Sequence, residues 1–219
     1  MTISLQQSPT ARLWGGYAAP VTAPRAAAPG GILDLAAAGA EYVQRAVGVD
    51  VDYGPETLPL VDHYARTFPA DAKPEVLALV VPALGAYFGE VVRRTLGGCR
   101  WHLGDDEHAG TRLEFEHYFM HFNPIGVALE AITRRAIEGS GAHFGLLEED
   151  RTAVAEALER TGPVRDDDYW RLAVRFEVLE QALSVLEARA LSRGELGRTF
   201  GPEVYRTALD EEPPPGLAS

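Results

Sequence analysis

"PEVLALVVPALGAYFGEVVRRTL", Pro74 to Leu96, decides what kind of fold this chain makes. Leu77, Val80, Val81, Leu84, Phe88, Val91 and Val92 recur at helical spacing and leave little polar surface mid-stretch. A helix apolar nearly all round sits centrally, with neighbours on several sides. Pro82 must start, kink or interrupt it, and Gly97-Gly98 is a stop signal. Gly85 and Gly89, four apart, let a second backbone or a ligand come close. Ala83, Tyr87, Glu90 and Arg94 form one narrow, more polar side. Glu90 is therefore either half of an intrahelical pair with Arg94 or part of the wall of a pocket.

Upstream, Asp34 is placed to cap a first helix running to about Val47, with Ile32, Leu35, Val43 and Val47 on one face. Gly54-Pro55 opens a second helix striped by Leu58, Val61, Ala65 and Phe68. Downstream, "CRWHL" (99–103) and "RLEFEHYFMHF" (112–122) read as two strands of an antiparallel hairpin around a polar loop. In the longer one Leu113, Phe115, His117, Phe119 and His121 point one way, and Glu114, Glu116, Tyr118, Met120 and Phe122 the other. Asn123-Pro124 caps a fourth helix in which Ile125, Leu129, Ile132 and Ala136 are the buried stripe and Glu130 pairs with Arg134. A fifth helix spans about Glu148 to Arg160. The last long helix starts at Asp166–Asp168, and Tyr169, Leu172, Phe176, Leu179, Leu183, Leu186 and Ala190 make a heptad-type seam. That seam serves either the chain's own core or a second copy of it.

The expected fold is α+β: about six helices around a small antiparallel hairpin or sheet, in one globular domain over 31–209. Residues 1–30 are rich in proline and alanine, carry no acid, and read as a flexible tail; 210–219 read as a disordered one. Trp14 and Tyr17, in "RLWGGY", are unusual in a solvated tail and either dock on the domain or anchor a partner.

The net charge of −12 repels phosphate backbones, so nucleic acid is not the expected partner. The single cysteine, Cys99, allows no internal disulfide and fits a reducing compartment. No unbroken apolar run approaches the roughly 18 residues of a membrane span. We therefore expect a cytoplasmic protein with no membrane partner. No phosphate-binding glycine loop and no G-x-S-x-G elbow is present. His117 and His121 have chelating i, i+4 spacing for a helix, but on a strand they stand about 13 Å apart. With His102 opposite, two ligands at most converge, and no metal or cofactor is expected.

"YGPETLPLVDHY", "LGAYFGEVVRRTLGG" and "RWHL", between Tyr53 and Leu103, resemble a pattern in small bacterial proteins of unassigned function. The resemblance implies a recurring bacterial domain and carries over no activity and no catalytic residue. The reading favoured by the sequence is a non-catalytic accessory protein that binds a protein or peptide, through Trp14, Tyr17, Tyr118 and Phe122, with the 114–122 strand as an edge for peptide addition. The alternative is a ligand-binding protein or enzyme with a pocket between the third helix and the hairpin, formed by Tyr87, Glu90, Arg94, Trp101, His102, His117 and His121. A third reading is an acidic immunity-type partner of a basic protein.

Overall fold

A computed structural model describes residues 27–104, 110–162 and 164–210. Trp14 and Tyr17 lie outside the described residues, as does most of each tail. Among the described residues the chain forms eight α-helices and a four-stranded antiparallel sheet, so it is α+β and mainly helical.

Helix α1, Gly30–Val47, ends at Gly48, which takes the left-handed conformation (φ 73°) and bonds back to Gln44. Its first residue is preceded by Pro29, so Asp34 sits inside the helix and caps nothing, contrary to the sequence expectation. A 3-10 turn, Pro55–Thr57, leads into α2, Leu58–Ala65. Helix α3 spans Pro74–Leu96 and runs through Pro82 without a break. Every residue from Val80 to Val92 is buried. By length and composition α3 could cross a membrane, against the expectation of no such segment, but 72% of its most apolar window is buried inside the protein.

Two glycines seat neighbours directly on α3. A Cβ at Gly85 would lie 2.4 Å from the Ile125 Cα of α4, and one at Gly89 would lie 2.3 Å from the Trp101 ring. Close packing, and no ligand, occupies the gap these residues open.

The strands are β1 Cys99–His102, β2 Arg112–Phe115, β3 Met120–Phe122 and β4 Gly145–Leu146, in that spatial order. The β1–β2 hairpin forms as expected, with Trp101 opposite Leu113. The single strand expected over 112–122 does not form. The chain bends over Glu116–Phe119 and returns, so that Leu113 faces Phe122 and Glu114 faces His121. The face assignment of everything after Phe115 therefore changes. Both β2 and β3 are paired on two sides, which leaves no edge there for peptide addition.

Cys99, Trp101, Leu113, Phe115, Met120, Phe122 and Leu146 are buried on the sheet face toward the helical core. Arg100, Glu114 and His121 share the opposite face by register. Helix α8, Pro202–Asp210, closes that face through Tyr205, whose ring stacks on Phe119 at 4.5 Å. The Tyr205 hydroxyl accepts the Met120 N–H (3.0 Å) and lies 2.7 Å from the Phe115 carbonyl and 3.0 Å from that of Met120. One side chain thus meets the backbone at Phe115, Tyr118 and Met120, while the Glu116 N–H and carbonyl are taken by Gly98 and Phe200.

Helix α4 is Pro124–Thr133, capped by the Asn123 side chain, which accepts from Ile125 and Gly126. It ends before Ala136, and Arg134 adopts φ 53°, so the expected Glu130–Arg134 pair is not made. Helix α5, Glu148–Arg160, has the expected bounds. The expected last long helix is split: a short α6, Asp166–Tyr169, precedes α7, Leu172–Arg193. Six of the seven seam residues, all but Tyr169, are buried within the chain.

Candidate functional site

Glu90 is fully buried, and its carboxylate is saturated. Arg93 Nε donates to Oε1 (2.7 Å) and an Arg93 Nη to Oε2 (2.8 Å), Arg94 Nε donates to Oε2 (3.0 Å), and Trp101 Nε1 donates to Oε1 (2.9 Å). Burial alone would raise its pKa; Arg93, Trp101 and Arg94 outweigh that and hold it below the ordinary carboxylate value. Four donors fill the roughly four acceptor sites of a carboxylate, so Glu90 has neither a proton to give nor an open lone pair.

The network continues outward. The Arg94 guanidinium lies 3.8 Å over the Tyr53 ring, which stacks on Tyr87 at 4.8 Å. The Tyr87 hydroxyl pairs with Thr57 Oγ1 (2.8 Å) and accepts the Tyr53 N–H (3.1 Å). Tyr53 reaches this position only in the left-handed conformation, φ 65°, which costs a non-glycine residue about 1 kcal/mol.

Tyr87, Glu90, Arg94 and Trp101 are therefore brought together, while the three histidines go elsewhere. His102 lies 3.8 Å from Glu114 on the sheet's second face. His121 covers Gly145 and meets Phe119 and Tyr205 edge-on. Burial, with Arg112 nearby, pushes its pKa down to about 4, so it is neutral at pH 7. His117 rests on Gly98 at the β2–β3 bend. Phe122 is buried in the core and Tyr118 is half-buried against it, which withdraws Phe122 from any partner. Among the described residues no three His, Cys, Asp or Glu side chains converge on a metal position.

Four more acids are buried, which the sequence reading did not expect of any of them: Asp62, Glu114, Glu130 and Asp150. Each is answered by cations or amides. Arg100 and Arg112 bind Glu114. Arg175 (2.8 Å), Ser140 and the Ile137 N–H bind Glu130. Arg189 and Arg193 bind Asp150. Asp62 accepts the Leu172 (2.6 Å) and Ala173 (3.1 Å) N–H groups and so caps α7 across the fold. Burial still pushes the Asp62 carboxyl up to about 6. The signal available beforehand was an acid inside an apolar stripe, as Asp62 is between Val61 and Ala65.

The uncovered surface lies elsewhere. A cleft of about 810 Å3 opens between the last turn of α5, the first half of α7 and the 142–144 segment. Phe144, Leu158, Val164, Val174 and Val178 give it an apolar lining. Val164 is 43% exposed. Glu159, Glu177 and His143 are among its polar lining residues, as is Arg175, which donates to Glu130 and to the Tyr169 hydroxyl. The volume falls in the range of ligand sites, about 300–1,000 Å3.

No family model, curated protein or solved structure matches this chain.

The chemistry of the cleft has to be read from its own atoms. It presents apolar surface and carboxylates, and its half-buried Arg175 is already paired with Glu130. Such a surface holds a ligand by burial of apolar groups and favours cationic ones at its edge.

Proposed function

We propose that the protein is a non-catalytic binding protein and that the α5–α7 cleft takes a short apolar peptide segment flanked by basic residues. The observation that carries this reading is the apolar lining of Phe144, Leu158, Val164, Val174 and Val178, half-buried except for the exposed Val164, beside Glu159 and Glu177. The buried acids elsewhere are consumed by arginines or amides and offer no acid–base pair, which favours binding over catalysis. The acidity that would suit an immunity-type partner is here concentrated into a local preference for basic ligands. A cytoplasmic setting fits the lone buried thiol, Cys99.

The test is fluorescence polarisation with labelled ten-residue peptides that pair Leu, Phe or Trp with either Arg and Lys or Asp and Glu. The basic set should bind and weaken as salt rises; the acidic set should not. Val164→Glu and Val178→Glu should each weaken binding at least about tenfold, and at the exposed Val164 this should come with little change in melting temperature. Binding that ignores both substitutions, or no binding at about 1 mM peptide, the weak end of specific recognition, removes the proposal.

A further inference from the structure

The chain carries a peptide of the class the cleft selects. Residues 1–26 contain Arg12 and Arg25 and no Asp or Glu. Trp14 and Tyr17 stand there among small residues, in "RLWGGYAA". We propose that the cleft is occupied in cis by this segment, around Arg12–Tyr17, so that the protein covers its own binding face until a competing peptide displaces it. The inference rests on the reading of the cleft given above and names its resident occupant.

Three observations support the choice. The first is shape and chemistry. A lining of Phe144, Leu158, Val174 and Val178 accepts large aromatic side chains, and Trp and Tyr are the side chains that anchor most firmly in such places. Gly15 and Gly16 between them let the backbone lie close.

The second is charge. The segment contributes +2 to a chain of net −12, which leaves −14 for the rest. At the cleft that excess is Glu159 and Glu177. Beside the cleft, burial first and then the charge of Glu177 raise the pKa of Glu180; a guanidinium next to Glu177 lowers that repulsion. The other uncovered segment, "EEPPPGLAS" (211–219), begins with two acids and has one large apolar residue, Leu217. It is repelled where the first is attracted.

The third is reach. Ala28 is packed against the core, so the segment is tethered at a fixed point. Ten residue steps separate Tyr17 from Ala27, a span of up to about 35 Å. A compact body of this size has a radius of gyration of about 16 Å. That span is about twice the radius of gyration, and a tether of this length holds the segment at an effective concentration of about a millimolar over the surface within its reach.

Two measurements on the full-length protein test this. In the first, Ala18→Cys and Gln181→Cys are introduced together, the native Cys99 being buried, and the protein is oxidised mildly. An intrachain disulfide should form about tenfold faster than in the control pair Ala18→Cys and Glu203→Cys. Equal rates, or disulfides only between chains, overturn the proposal. In the second, a labelled peptide of residues 11–20 is titrated into the unaltered protein and into the Trp14→Ala, Tyr17→Ala variant. The variant should bind about tenfold more tightly, because its cleft is vacated. Equal affinities overturn the proposal. Should this peptide bind neither protein while other basic apolar peptides bind, the cis occupant is wrong and the cleft reading stands. Should no peptide bind at all, both fall.

Discussion

The centre of α3 and the α5–α7 cleft treat polar and apolar groups in opposite ways. Around Glu90 a charge has been taken fully out of water and every acceptor position answered: two arginines and an indole for one carboxylate. At the cleft, valine, leucine and phenylalanine have been left in contact with water, and carboxylates stand beside them without a cation of their own. The first arrangement resembles an active site in its residue types and has no open valence. The second leaves apolar side chains partly in water, with His143, Glu159 and Glu177 along its lining. An unusual side chain in this molecule can thus be fully accounted for by its partners within the fold, as Glu90 is.

The largest expected effect breaks the first half of that comparison. Glu90→Ala should cost about 3–5 kcal/mol in chemical denaturation, since it removes the acceptor of the buried Trp101 N–H and the carboxylate that Arg93 and Arg94 face. Glu90→Gln, which keeps an acceptor, should cost less. A stabilised Glu90→Ala protein would mean that the carboxylate is held at the expense of the fold, as functional groups often are, and the comparison would reverse.

Next comes pH, where two buried groups act in opposite senses. Asp62 has its folded pKa raised from 3.8 to about 6, so its contribution is present below pH 3.8 and is lost as pH rises through about 6. His121 has its folded pKa lowered from 6.5 to about 4, so its contribution is present above pH 6.5 and is lost as pH falls through about 4. Each is worth up to about 3 kcal/mol, and between pH 4 and 6 they offset. The native protein should show a shallow profile there. Asp62→Asn should leave the histidine's fall toward acid uncovered, and His121→Gln should leave a gain toward acid. Equal slopes in both variants, read from urea midpoints across this range, would discard the assignment.

Smaller again is Gly89→Ala, whose new methyl would press on the Trp101 ring. About 1–3 kcal/mol should be lost, and Trp101 fluorescence should shift. At the cleft, by contrast, Val164→Ser should change stability by less than about 0.5 kcal/mol. A large loss there would show that the cleft's lining belongs to the core, and the contrast between the two regions would dissolve.

Much of the fold was legible where the deciding interactions are local. The bounds of α3 and α5 and the Asn123 cap follow from periodicity, proline and capping chemistry within a few residues. What failed depends on distant partners. The 112–122 segment alternates well enough to be one strand; it turns back because Tyr205, far along the chain, satisfies the backbone at Phe115 and Met120. Glu130 has Arg134 at ideal helical spacing, yet the helix stops at Thr133 and Arg175 takes the charge. Of the seven residues expected to line one pocket, four meet, because helical and strand neighbours of α3 are fixed by its small positions. His117 and His121 part because the bend over Glu116–Phe119 re-aims the chain, while His102, on β1, faces Glu114 on the side opposite Trp101. The cleft was invisible for the same reason: it joins the end of α5, the start of α7 and the 142–144 segment, none of which points to another in the sequence.

The hydroxyl of Tyr205 has one further consequence, for biosynthesis. The peptide groups it binds leave the ribosome some 85 residues before it does. Until that tyrosine is made, the β2–β3 corner of a nascent chain must keep those groups hydrated, and the face beneath α8 stays open. A premature stop just ahead of codon 205 should therefore release a polypeptide whose helical half is assembled and whose sheet is exposed, a natural substrate for chaperones and proteases.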